Sequence, residues 1–418
     1  MNYTKKRWLI LAASCLANLC LGSIYAWSVF ASSMAEYLSA LHNTVITTGD
    51  LAIVYTIANS VGPITMISGG WFNDRFGPRK VILIGGLMFG GGTLLSGFAG
   101  SIGFLIVTYG LIGGLGLGMA YGCTISSCVK FFPDKRGLVG GITTAAYGLS
   151  SVILPPVITV IVGQSDATFA FKIIGIVFMV IICGCAFLTE KCPEGFVPDG
   201  WTPPVESVKK TTGRDYNWKA MLQSPVFYSM ILLLTCGAFC GMMIISQASA
   251  VASGMIGMTA AAAGIAVSVL ALFNAAGRLA AGWLSDRIGR INTLTVACVI
   301  SIFGLLFLYF SGAGSVVTFY AGIALVGICF GAFMGVFPGF TADQFGARNN
   351  SVNYGIMFIG FALAGFFGPT IMSSVYAADG VYQRAFLIAV GLNVAGIALT
   401  FVYRMLSGRQ RRKEQAKA

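Results

Sequence analysis

An all-α membrane fold of twelve spanning helices, set in two pseudo-symmetric six-helix bundles, is what this 418-residue sequence predicts. Three observations carry that expectation. The chain is 56% hydrophobic and only 10% charged, with a mean hydropathy of +0.83, a balance foreign to soluble folds. Apolar runs of helix-spanning length recur twelve times. A charged turn bounded by glycines occurs twice, 212 residues apart, as in an internal repeat.

The runs lie at about 8–30, 50–72, 80–100, 103–129, 137–162 and 168–189, then 225–250, 258–284, 291–312, 315–341, 351–376 and 382–405. Between the sixth and seventh, Glu190 to Lys219 carries five Lys/Arg and five Asp/Glu and reads as a linker. The expected organisation is an N-terminal six-helix bundle over 1–189, a cytoplasmic linker over 190–224, a C-terminal six-helix bundle over 225–405 and a basic tail over 406–418. Met1 to Arg7 reads as a short basic leader running into the first span, not a cleavable signal. Fifty-five glycines in apolar surroundings fit close helix approach in a bilayer. Eleven scattered cysteines with a single histidine give no metal signature, so neither a metal nor a cofactor is expected.

Charge gives the orientation. Of the 26 Lys/Arg, 23 fall on the side of the two termini, only Lys172 and Arg384 fall on the other, and Arg278 lies inside a run. That asymmetry places both termini in the cytoplasm, and it explains the +12 formal charge as a topology signal instead of a nucleic-acid surface.

Arg278 is the pivot of the functional reading. It sits eight residues before the charged turn at Asp286, and Asn274 is one helical turn before it on the same face. A charge at that depth costs at least about 2.5–3.5 kcal/mol unless it faces a partner or a wet cavity. No carboxylate stands nearby in sequence, so an anion arriving from outside is the natural partner. The alternative is a structural arginine bonded to carbonyls of a broken neighbouring helix.

The repeated turn is Gly70-Trp71-Phe72-Asn73-Asp74-Arg75-Phe76-Gly77, matched by Gly282-Trp283-Leu284-Ser285-Asp286-Arg287-Ile288-Gly289. Its glycines allow tight approach, its aspartate is placed to cap a neighbouring helix, and its arginine to pair across the loop. Making and breaking such bonds would bias one conformation over another, which makes Gly70, Asp74, Arg75, Gly77, Gly282, Asp286, Arg287 and Gly289 a candidate gating motif.

This turn resembles the signature of the major facilitator superfamily. With Gly22 to Ser28, Tyr121-Gly122, Phe131 to Leu138, Ala146 to Leu149, Leu272 to Arg278, Phe337-Pro338 and Asn353-Tyr354-Gly355, the chain resembles its bacterial oxalate–formate antiporter branch, which is related to the monocarboxylate transporters. The resemblance implies that Arg278 binds a carboxylate and that Tyr25, Tyr121 and Tyr147 line the path. It also implies roles for three positions at which this chain departs from the family: Met334 replaces an aromatic pore residue, Phe358 a tryptophan, and Phe361 the family's second pore cation, a lysine.

A dianion in a dry site needs about two positive partners, and the spans offer one. The expected activity is therefore transport of a small monocarboxylate such as lactate, pyruvate, formate or acetate by alternating access. Proton-coupled symport is the expected mode, with obligatory anion exchange of the oxalate/formate type as the alternative. Asn274 stands where the related monocarboxylate carriers have an aspartate, and it cannot titrate. An enzyme is disfavoured because all fourteen Asp/Glu fall in loops or at helix ends and the only histidine is peripheral, sugar uptake because the spans lack the combination of several amides with acids that sugar sites favour, and cation efflux because they lack a membrane carboxylate. A transporter-like nutrient sensor is a less favoured reading. The expected setting is a multi-pass monomer in a bacterial inner membrane, with the lipid bilayer, a carboxylate anion and protons as its partners.

Overall fold

The computed structural model describes residues 3–202 and 215–415. The remainder of the predicted linker, 203–214, and of the tail, 416–418, lies outside the described residues. Every element in the described chain is helical. We number the long helices in order as α1 (Tyr3–His42), α2 (Ala52–Phe76), α3 (Pro78–Ser96), α4 (Ile102–Phe131), α5 (Arg136–Gln164) and α6 (Ala167–Leu188). The second set is α7 (Pro225–Gly254), α8 (Ala260–Ile288), α9 (Arg290–Tyr309), α10 (Val316–Phe345), α11 (Asn350–Asp379) and α12 (Gln383–Gln415). Among the described residues, eleven stretches are long and apolar enough to cross a membrane. The twelfth helix, α3, is 19 residues long, and Arg79, Lys80 and its glycines dilute its apolar content.

Local chemistry sets the ends. The Asp166 carboxylate accepts from the Phe169 N–H at 2.7 Å and starts α6, and Thr259 starts α8 by accepting from Ala262 N–H. Pro78 and Pro225 open α3 and α7, where a missing N–H forfeits nothing. Gly77 (φ +91°) and Gly289 (φ +88°) close α2 and α8 in the left-handed region, which is why the repeated turn ends in glycine both times.

Three helices are not uniform. α1 tightens into a 3₁₀ turn over Gly22–Ala26, α4 widens into a π-turn over Ile106–Gly113, and α11 breaks at Phe358 between Met357 and Ile359. Such irregular turns recur at functional sites.

The chain forms two compact units. One comprises Met1–Pro133, Ala146–Trp201 and Arg348–Ile356; the other comprises Asp134–Ala145, Thr202–Ala347 and Met357–Ala418. The units follow the two sequence halves except for two short segments that exchange: the start of α5 belongs with the second half, and the start of α11 with the first. In the first unit α3 packs on α6 and α4, and α2 on α4; in the second α9 packs on α12 and α10, and α8 on α10. The repeat read from sequence is thus a repeat of packing.

Candidate anion-binding site

Arg278 lies on α8 eleven residues before Gly289, about 16 Å along the helix at 1.5 Å per residue. It is 1% exposed. Its Nε–H donates to Asn274 Oδ1 at 3.0 Å, so the i, i+4 pair seen in the sequence forms. Its Nη1 donates to the carbonyl oxygen of Thr144, on the start of α5, at 2.6 Å. Both acceptors are neutral. They satisfy N–H groups and leave the positive charge uncompensated, and among the described residues Arg278 makes no ion pair.

The backbone around Arg278 is gripped by glycines. A Cβ built on Gly335 of α10 would lie 2.5 Å from the Arg278 carbonyl oxygen. One on Gly331 would overlap the Asn274 carbonyl oxygen, and one on Gly141 of α5 would overlap that of Arg278. Small residues are therefore needed on both neighbours, and they hold the arginine's turn of α8 in one place.

The three tyrosines named from sequence form one cluster in the first unit. The Tyr147 ring lies 5.3 Å from that of Tyr25 and 4.6 Å from that of Tyr121, edge-on to the first and tilted to the second. Tyr121 and Tyr147 are buried, and Tyr25 rides on the 3₁₀ turn of α1. In the second unit Phe358 and Phe361 stack at 4.5 Å where α11 breaks, and Phe330 of α10 approaches Phe361 at 6.3 Å. Met334 is buried on α10, one residue before Gly335.

The two turns behave alike at their aspartates. Asp286 accepts from Gly137 N–H at 2.9 Å and Leu138 N–H at 2.8 Å, at the start of α5. Asp74 accepts from Ser351 N–H at 3.3 Å and Val352 N–H at 3.1 Å, at the start of α11. Each carboxylate thus sits at the positive end of a helix. The arginines behave differently from the expectation: Arg75 and Arg287 lie over the rings of Trp71 and Trp283, at 5.4 and 3.8 Å. The balancing cations are residues that sequence reasoning passed over. Lys130 pairs with Asp74; Arg290 pairs with Asp286 at 2.6 Å and Asp343 at 2.9 Å, and Arg136 meets Asp343 at 2.7 Å. Asn73 adds a bond to Ser351 at 2.9 Å. Lys130 and Asp343 are 213 residues apart, the offset that relates Phe132 to Phe345, so the repeat itself pointed to them.

Similarity to known proteins gives the family and the fold. The pattern of the Major Facilitator Superfamily matches residues 16–369 and, overlapping, 250–418. The chain is 30% identical over 366 residues, 87% of its length and 86% of the relative's, to an uncharacterised MFS-type transporter, YhjX, of Escherichia coli (strain K12). It is 29% identical over 401 residues, covering 95% of this chain and 91% of the other, to the oxalate:formate antiporter of Oxalobacter formigenes. In fold it is similar to the proton:xylose symporter XylE, with a TM-score of 0.75, 14% identity and 96% of each chain covered.

Proposed function

The chain belongs to the major facilitator superfamily and is a transporter, and from that premise we propose that it carries small monocarboxylates, with Arg278 as the partner of the carboxylate. One observation carries the reading: a guanidinium 1% exposed, deep in an apolar helix, whose two hydrogen-bond acceptors are both neutral. An incoming carboxylate supplies the missing charge and can accept two parallel N–H bonds from the planar fork. Asn274 orients the fork through Nε. The relative whose name includes both oxalate and formate supports the substrate class. The Phe358–Phe361 stack, where the family's second cation would stand, favours one carboxylate over two. The resemblance gives Tyr25, Tyr121 and Tyr147 a place along the substrate's path, and their gathering into one cluster within the first unit supports that reading. The charge asymmetry of the loops supports a cytoplasmic location for both termini, and the bacterial relatives support an inner-membrane setting.

The test is uptake of labelled formate, lactate and pyruvate into proteoliposomes. Arg278→Lys keeps the charge and loses the fork, and most uptake should go with it. Wild-type uptake by Arg278→Ala would overturn the assignment, because a purely structural arginine is the remaining role for a residue bonded to the Thr144 carbonyl.

Proton symport is the favoured coupling for a site with one cation, since an acid substrate can bring its own proton. Obligatory exchange is the second reading, and Asn274 favours it: a neutral amide occupies the place of a titratable partner, and the empty site keeps its charge until an anion neutralises it. Accumulation driven by an inward proton gradient without internal substrate rejects exchange; uptake only against internal anion rejects symport.

A further inference from the structure

We propose that the two Trp–Arg pairs of the repeated turn, Trp71 with Arg75 and Trp283 with Arg287, are binding sites for the headgroup phosphate of anionic phospholipids. The turn divides its charges by direction. Consecutive helical residues point about 100° apart, so when the aspartate faces a neighbouring helix its arginine is turned away. Asp74 and Asp286 are engaged by backbone N–H groups and by Lys130 and Arg290. Arg75 and Arg287 are exposed, and among the described residues neither forms an ion pair. Each lies over the ring of the tryptophan four residues earlier.

Those tryptophans do not pack inside. Trp71 and Trp283 are each 45% exposed, and their neighbours Phe72, Phe76 and Ile288 are 48%, 56% and 40% exposed. Trp71 is six residues and Arg75 two residues before Gly77, about 9 Å and 3 Å inside the helix end, and the spacing to Gly289 is the same. An exposed tryptophan at that depth belongs to the aromatic belt at the acyl–headgroup boundary. An arginine one turn beyond it reaches the phosphate level. A cation–π contact holds each guanidinium over its indole, and the N–H groups remain to meet a phosphate. The Arg287 Cζ stands 3.8 Å from the Trp283 ring centroid, the tighter of the two pairs. The arrangement occurs twice, once in each unit, on repeat-related helices.

The experiment uses the full-length chain, delipidated in detergent and offered phosphatidylglycerol and phosphatidylcholine in equal amounts; the lipid retained after washing is measured by mass spectrometry. Phosphatidylglycerol should be enriched about fivefold per arginine. Arg75→Gln with Arg287→Gln should bring the ratio to that of the mixture, and Arg75→Lys with Arg287→Lys should fall between. The control, Lys80→Gln with Arg412→Gln, removes two exposed charges that belong to neither pair. Equal loss in the control overturns the proposal in favour of general surface charge. So does an unchanged ratio in the glutamine variant, or no enrichment in the unsubstituted protein. Millimolar inorganic phosphate should not displace the lipid; displacement would mean a free-anion site and overturn the lipid assignment. The unsubstituted and phosphate arms decide the matter even if the glutamine variant does not fold.

Discussion

Met66 on α2 and Arg278 on α8 stand 212 residues apart, at the same place in the repeat, and their backbones are approached in the same way. One pair differs: Gly122 of α4 faces the Met66 side chain where Gly335 of α10 faces the Arg278 carbonyl oxygen, and the other two agree. A Cβ on Gly118 would overlap the Gly62 carbonyl oxygen, as one on Gly331 would overlap that of Asn274. A Cβ on Gly355 of α11 would lie 2.9 Å from the Met66 carbonyl oxygen, as one on Gly141 of α5 would overlap that of Arg278. Each set lies within its own unit. The glycines therefore answer to backbone approach, which both repeats need. The side chain at the centre is free to differ: it is a methionine in one repeat and a buried arginine in the other.

The most direct way to break the comparison is Arg278→Met, which gives α8 the side chain of its counterpart. Packing should survive, since α2 accommodates methionine at this place, and carboxylate uptake should fall by at least about thirtyfold, as when a buried charge partner is lost. A protein that keeps uptake would move the site elsewhere. Next in size is Phe361→Lys, which restores a second cation near the break in α11. Relative binding should shift toward oxalate by about 1–3 kcal/mol, the range of charge-assisted hydrogen bonds; unchanged preference in a folded variant would remove the one-cation argument for monocarboxylates.

A third test separates the two glycine contacts. Gly335→Ala meets backbone, the Arg278 carbonyl oxygen, whereas Gly122→Ala meets the flexible Met66 side chain. Thermal unfolding in detergent should show a loss of roughly 1–3 kcal/mol for the first and less for the second. The fourth concerns the turns. Asp286→Asn leaves Arg290 paired with Asp343, while Asp74→Asn removes the carboxylate partner of Lys130. The second should therefore be the more destabilising, by about 1 kcal/mol; the reverse order would mean that cap geometry outweighs charge balance.

The smallest effect belongs to Asp166, at the exposed start of α6. The Phe169 N–H, followed by the Thr168 hydroxyl, holds its carboxyl below the usual carboxylate range. Its stabilisation is present above the unfolded pKa and fades as pH falls through the folded one. Asp166→Ala should lower stability by about 1 kcal/mol or less at neutral pH, and the difference from the unsubstituted protein should vanish in acid.

How much of this was legible beforehand follows from how far apart the partners are. Asn274 and Arg278 are one turn apart, so helical periodicity alone placed Asn274 beside the guanidinium. The grouping of Tyr25, Tyr121 and Tyr147 came from resemblance to a family, because they lie on three different helices and no spacing rule joins them. Lys130 and Asp343 were missed although they occupy matching positions, since a search for like residues passes over a pair of opposite charge. Arg75 and Arg287 were expected to pair across their loops, and the rotation per residue that turns Asp74 and Asp286 inward carries them out onto tryptophan instead.

By itself the sequence determined that the chain is a twelve-helix membrane protein built on a repeat and holding one deep arginine, because hydropathy, loop charge and self-similarity are properties of the residue order. The tertiary structure alone decided that the starts of α5 and α11 exchange between the units, that the Thr144 carbonyl meets Arg278, and which cation balances each aspartate. Those are contacts between segments more than fifty residues apart in most cases, made by backbone atoms every residue possesses or by charges that several neighbours could have supplied. Only packing selects among them.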